Sequence, residues 1–102
     1  MKTLETLRRQ LSTGEFEFSR HAFKRAVERN ITDREIRQAG AEARVIEQYF
    51  DDKYSPSCLL FGFSADGRPL HLQVSYADTE RVKIITLYEP DASEWIDFSQ
   101  RR

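Results

Sequence analysis

The chain has 102 residues, 39% hydrophobic and 32% charged, with seven Phe, four Tyr and one Trp, enough for one core and too little for two. This composition excludes a disordered chain, and a formal net charge of -1 excludes a protein whose whole surface grips nucleic acid through phosphate neutralisation. The charge is uneven, with ten Lys and Arg against eight Asp and Glu in residues 1–50 and six against nine in 51–102.

From the N-terminus, Leu4, Leu7 and Leu11 recur at helical spacing and predict an amphipathic helix over 3–12, ended by Ser12-Thr13-Gly14. Glu5, Arg8 and Arg9 interrupt it where a secretory signal needs an unbroken apolar run, and no stretch approaches the roughly 18 apolar residues of a membrane span. A cytoplasmic protein is expected. "EFEF" at 15–18 reads as a short extended piece. Ser19 suits the N-cap of a helix from Arg20 to Glu28, with Asn30 as a left-handed stop. Thr32 and Glu35 have capping-box spacing at the start of the next helix, Ile31 and Ile36 would pack inward, and Gly40 is the expected stop.

After Ala43 the pattern becomes β. The runs 43–50, 58–64, 70–76 and 82–89 are rich in β-branched and aromatic residues, and Asp66-Gly67 predicts a two-residue hairpin turn with positive φ. These four strands predict an antiparallel meander. Pro90, Asp91 and Glu94 then predict a last helical turn that packs Trp95 and Phe98. Cys58, the only cysteine, opens an apolar run and reads as a buried small hydrophobe; alone it makes no disulfide and no zinc cluster. The order of elements is α+β, helices packed on a mostly antiparallel four- to five-stranded sheet, in one domain spanning 1–102.

On a helix over 20–28, His21, Arg25, Glu28 and Arg29 share one face, opposite Ala22, Phe23, Ala26 and Val27. The apolar side reads as core. The polar side reads as a solvated surface or as a site, since an imidazole beside guanidinium groups is what metal-free RNA cleavage requires: a proton acceptor, a cation for the phosphorane and a proton donor. Arg20 and Lys24 add cations for a phosphate backbone. In "LHLQVSY", alternation sets His71, Gln73 and Ser75 against Leu70, Leu72, Val74 and Tyr76, so His71 opens on the second face of the sheet in a structural or a catalytic role. Asp51 and Asp52 fill a charged strand connection; paired acids there invite a metal, as in a metal-dependent nuclease, but without further ligands at fitting spacing a charged turn is the default reading. Tyr54 beside them could stack on a base, donate a proton or simply pack.

Taken in order, "SRHAFKRAVERNITDREI", "VIEQYFDDKYSPSCLLFGFSADGRPLHLQVSY" and "IITLYEPDASEWIDF" resemble the prokaryotic family called domain of unknown function 4258, over about residues 15–98. The resemblance implies a toxin of a type II toxin-antitoxin pair with a fold like the RelE or BrnT toxins. It also implies a small antitoxin partner with two CxxC pairs, a zinc ribbon. The implied activity is metal-independent cleavage of single-stranded RNA, with no cofactor. The positions carried over are His21, Arg25 and Arg29, then Glu28, Tyr54 and His71. The alternative is a non-catalytic module whose basic helix face docks a protein.

Overall fold

Each helix begins where a hydroxyl side chain can accept a hydrogen bond from a backbone amide that has no partner within the helix. In the computed structural model, which describes residues 1–53 and 55–102, the caps are Thr3, Ser19 and Thr32, accepting from the amides of Thr6, Ala22 and Glu35 at 3.1, 3.0 and 3.1 Å. They open α1 (Leu4–Ser12), α2 (Arg20–Glu28) and α3 (Asp33–Ala41). Glu35 reaches back to the Thr32 amide at 3.0 Å, completing the expected capping box. Asn30, at φ 53, turns the chain after α2 as its short polar side chain permits. Gly40 does not end α3. It lies buried inside the helix, where a Cβ would strike the Leu11 side chain, so its role is to let α1 and α3 approach closely.

The strands are β1 (Phe16–Phe18), β2 (Arg44–Tyr49), β3 (Ser57–Phe63), β4 (Pro69–Ser75) and β5 (Val82–Tyr88), in the order β1-β5-β4-β3-β2. β2 to β5 form the expected antiparallel meander, and β1 adds to its edge parallel to β5, pairing Phe16 with Val82 and Phe18 with Ile84. The result is an α+β protein with a five-stranded mixed sheet. The β3–β4 turn differs from expectation: Gly67 alone takes positive φ (83°), its amide donating to the Ser64 carbonyl at 2.9 Å. Asp66 has negative φ, so this is a type I turn followed by a left-handed glycine.

The predicted C-terminal helix is also corrected. Beyond one turn at Asp91, which accepts from the Trp95 amide at 3.1 Å, the chain forms a two-stranded ribbon of β6 (Trp95–Ile96) and β7 (Gln100–Arg101). Asp97 and Phe98 reverse the chain at φ 51 and 60, a conformation a helix cannot contain.

Leu7, Leu11, Ile36 and Ala39 of the helices meet Leu60, Leu72, Val74, Ile84 and Leu87 of the sheet in the core. α3 comes so near β3 that a Cβ on Gly62 would land on the Ala39 carbonyl oxygen. α2 continues from β1 and packs on β5, burying Ala22 and Ala26, while Phe23 and Val27 stay 60% and 62% exposed. These two were expected in the core. Helical periodicity gives an apolar arc but not how much of it a neighbour covers, and β5 offers α2 only a narrow contact.

Arg68 fastens the parts together from the hairpin tip. Its guanidinium donates to the Arg29 and Asn30 carbonyls at 2.8 and 2.9 Å, to Glu35 at 3.1 Å and to Glu89 at 2.7 Å. Burial raises the Glu35 carboxyl, but the Thr32 amide and Arg68 outweigh it and hold the group below its ordinary value. Truncating Arg68 leaves two carbonyls and a half-buried carboxylate short of their donor. Arg68→Ala should cost about 2 kcal/mol in urea unfolding. Gly62→Ala should cost about 3 kcal/mol, because the intruding methyl meets backbone rather than a side chain that can turn. An unchanged midpoint for Gly62→Ala would mean that α3 does not rest on β3.

Candidate functional site

The helices occupy one face of the sheet, and strand alternation delivers the polar residues to the other. Register brings Phe61, His71 and Tyr88 into one row across β3, β4 and β5, and Leu59, Gln73 and Thr86 into the next. Between β4 and β5 the pairing slips, from Gln73 with Thr86 to Val74 with Ile84, leaving Ile85 as an extra residue. Ser19 uses that bulge: its hydroxyl donates to the Ile85 carbonyl at 2.8 Å while accepting from the Ala22 amide. One side chain therefore caps α2 and anchors it to the sheet, which fixes His21 in the first turn.

The C-terminal ribbon seals the first row. His71 is fully buried, with Nε2 2.5 Å from the Phe98 carbonyl oxygen, Nδ1 3.1 Å from the Tyr88 hydroxyl, and the Trp95 ring edge-on at 4.5 Å. A carbonyl only accepts, so Nε2 carries the proton and, in the neutral ring, Nδ1 accepts from Tyr88. Burial holds the His71 pKa below its ordinary value, against the opposing pull of the Phe98 carbonyl and Glu47. Arg101 closes the ribbon over β2, donating to Glu47 at 2.7 and 3.1 Å and lying 4.6 Å from the Trp95 ring. Tyr49 donates to the same carboxylate. Burial, then the bond to Glu47, pushes the Tyr49 phenol up to about 12.

The second row stays open as a cavity of about 600 Å³. His21 of α2, Asp52 and Ser55 of the β2–β3 connection, Gln73 and Ser75 of β4, and Lys83 and Thr86 of β5 line it. Ser57 donates to Asp52 at 2.9 Å, and the Gln73 amide nitrogen lies 3.1 Å from Ser57 Oγ and 3.4 Å from Asp52. The Ser55 and Ser75 hydroxyls pair at 2.8 Å. Lys83 faces Glu17 at 3.6 Å. Two proton carriers and a cation-bearing wall thus meet in a space large enough for a nucleotide-sized group.

The residues singled out in the sequence divide. His21 reaches this cavity. Arg25 is half-buried and paired with Glu28 at 3.8 Å, and Lys24 lies 4.0 Å from the same carboxylate. Arg29 lines a separate cavity of about 320 Å³ with Tyr88, Glu89 and Glu94, so the shared helix face runs along β5 past two openings. Arg20 is exposed at the start of α2. His71 lies on the second sheet face, as alternation predicts, but under the ribbon and away from the open cavity. Tyr54 lies outside the described residues. Gln73, Lys83, Thr86, Ser55 and Ser75 were not singled out as site residues; strand alternation placed Gln73 and Ser75 on the right face, and the same count in "VKIITLYE" could have raised Lys83. Asp52 was weighed only as a metal ligand.

Cys58 is fully buried, and burial pushes its thiol up, against the opposing hydrogen bond to Tyr76. Among the described residues no three His, Cys, Asp or Glu side chains gather closely enough to hold a metal ion, and no helix is long and apolar enough to cross a membrane.

A family described as Domain of unknown function (DUF4258) matches residues 18–89. No curated protein and no solved structure matches the chain.

The ribbon should respond to acid. A histidine whose folded pKa lies below its unfolded value contributes stability that is complete above about pH 6.5 and declines as the pH falls below it. The lowered Glu47 pKa adds a second loss below about pH 4.3, where the unfolded carboxyl protonates first. Between pH 7.5 and 5.5 the urea midpoint should fall, with Trp95 fluorescence shifting red as the ring is wetted. His71→Gln should flatten this interval; an equally steep dependence in the variant would show that the buried neutral imidazole is not its source.

Proposed function

The chain belongs to the DUF4258 family, a description that carries no activity, and we propose that it is a metal-independent endoribonuclease, the toxin of a type II toxin-antitoxin pair. One observation carries the reading: His21 and Lys83 line the same cavity, whose other polar residues bring hydroxyls, an amide and a carboxylate. That set matches the needs of in-line attack by a ribose 2′-hydroxyl. His21 takes the 2′-hydroxyl proton as the oxygen bonds to phosphorus, Lys83 faces the charge that builds on the phosphorane, and the departing 5′-oxygen leaves with a proton from the ammonium. The products are a 2′,3′-cyclic phosphate and a free 5′-hydroxyl. Arg20, Lys24, Arg25 and Arg29 offer charge along the same helix to neighbouring phosphates. Asp52, held by Ser57, orients the polar floor.

A sheet with helices on one face and the second face open is compatible with the RelE/BrnT-like architecture that the resemblance implied. In this reading the protein works in the cytoplasm and is neutralised by a small antitoxin, a zinc ribbon with two CxxC pairs. The second reading, a binding module without catalysis, draws on a different observation: Phe23 and Val27 stand exposed on α2 beside Lys24, which is how a protein-docking surface is built.

Purified protein incubated with single-stranded RNA in EDTA should yield fragments ending in 2′,3′-cyclic phosphate. His21→Ala should lower the rate about 10²- to 10⁴-fold and Lys83→Ala at least 10²-fold, both with unchanged urea midpoints. Intact RNA across many sequences would remove the enzyme and leave the binding module; undiminished cleavage by folded His21→Ala would remove the assigned base.

A further inference from the structure

The floor of the open cavity contains an amide whose orientation its neighbours dictate. The Gln73 side-chain nitrogen lies 3.1 Å from Ser57 Oγ and 3.4 Å from Asp52 Oδ2, two acceptors close enough together to share one of its N–H groups. Ser57 spends its own proton on the same Asp52 oxygen at 2.9 Å, so its lone pair is what receives Gln73. A carboxylate accepts only, which means that the nitrogen, and not the oxygen, must face Asp52. Gln73 Oε1 is thereby left with no donor among the described residues, a fixed acceptor in the wall of the cavity. Directly across the β4–β5 ladder stands Thr86, whose hydroxyl also makes no hydrogen bond to a described residue and lines the same space.

An acceptor that cannot turn, beside a hydroxyl that can donate, is the complement of one chemical pattern: a planar edge with an N–H next to a carbonyl or ring nitrogen. We propose that Gln73 and Thr86 form a nucleobase-reading subsite. Gln73 Oε1 takes a base N–H, and the Thr86 hydroxyl donates to the adjacent base acceptor. The subsite depends on the RNA reading for its ligand class. Its logic is exclusion: a base lacking the N–H leaves Oε1 buried against the ligand without a partner, and an unpaired buried acceptor is costly. Asp52 and Ser57 act here as positioning residues, locking the amide so that it does not flip to accommodate a base offering an acceptor instead.

The test is equilibrium binding, which needs no turnover. Adenosine and uridine 3′-monophosphates are titrated against their N6,N6-dimethyl and N3-methyl counterparts, in the native chain and in Gln73→Leu. For at least one base, methylation should weaken binding about tenfold in the native chain and have no effect in Gln73→Leu. Equal penalties in both proteins would show a steric effect and overturn the subsite, as would failure of all four nucleotides to bind. Thr86→Val, close in shape and less disturbing to the fold, should weaken a parent nucleotide and its methylated form alike; unchanged affinity for both would overturn the Thr86 contact. Cleavage assays separate the two readings. Intact RNA with a methylation-sensitive, Gln73-dependent affinity removes the ribonuclease and keeps the subsite, whereas cleavage with no Gln73-dependent discrimination removes the subsite and keeps the ribonuclease.

Discussion

A single guanidinium sets the geometry on which the rest depends. Arg68 projects from the β3–β4 hairpin into the junction between α2 and α3, where two carbonyls at the end of one helix and the capping carboxylate at the start of the next converge. Helix ends leave carbonyls without intrahelical partners, and a planar fork of donors serves several acceptors at once. The bonds to Glu89 and Glu35 raise the Arg68 pKa despite partial burial, so the charge that holds the junction is permanent. Because α2 contributes little buried area of its own, its placement beside β5 rests on fastening at both ends: Arg68 at the C-terminus and the Ser19–Ile85 bond at the N-terminus.

Between those two points α2 is held as a rail along β5, with Ala22 and Ala26 in the core and His21 reaching the cavity on the other face. The second sheet face is then partitioned by what covers it. The ribbon takes Phe61 and His71 out of water and leaves Tyr88 half-buried, while the neighbouring Gln73 and Thr86, with Lys83 beyond them, line the open cavity. The ribbon costs backbone strain, since Asp97 and Phe98 both adopt the left-handed conformation, which is uncommon for a bulky side chain. The short contact from His71 to the Phe98 carbonyl and the Arg101–Glu47 pair offset that strain.

Much of this was legible in the residues. The Ser19 and Thr32 caps, the Asn30 stop and the meander follow from local rules, because capping and alternation depend on residues only a few positions apart. The failures share a cause. Gly40 reads as a stop because glycine commonly ends helices, and only the approach of Leu11 from another helix reveals its use. Phe23 and Val27 read as core because an apolar arc does not report the width of its neighbour. The C-terminal segment reads as a helix from Asp91 and Glu94, while the turn at Asp97 and Phe98 is stabilised by His71, distant in sequence. That last error propagated to the site: with the ribbon absent, His71 seems open, and the neighbouring Gln73 and Thr86 draw no attention. His21 was visible from helical periodicity, whereas Lys83 shares its cavity only through the parallel pairing of β1 with β5, which no local pattern encodes.

That parallel pairing governs the order in which the site can come into existence. β1 lies near the start of the chain, but its only partner in the sheet is β5, more than sixty residues later. The anchor for α2 lies on the same late strand. On a ribosome the segments of the helices and the first hairpin have been synthesised while His21 still has no wall to face, and the cavity can form only once residues 82–86 have emerged. Whatever chemistry the cavity performs is thus withheld from the nascent chain by topology alone, and a chain that terminates before β5 carries the histidine without the site.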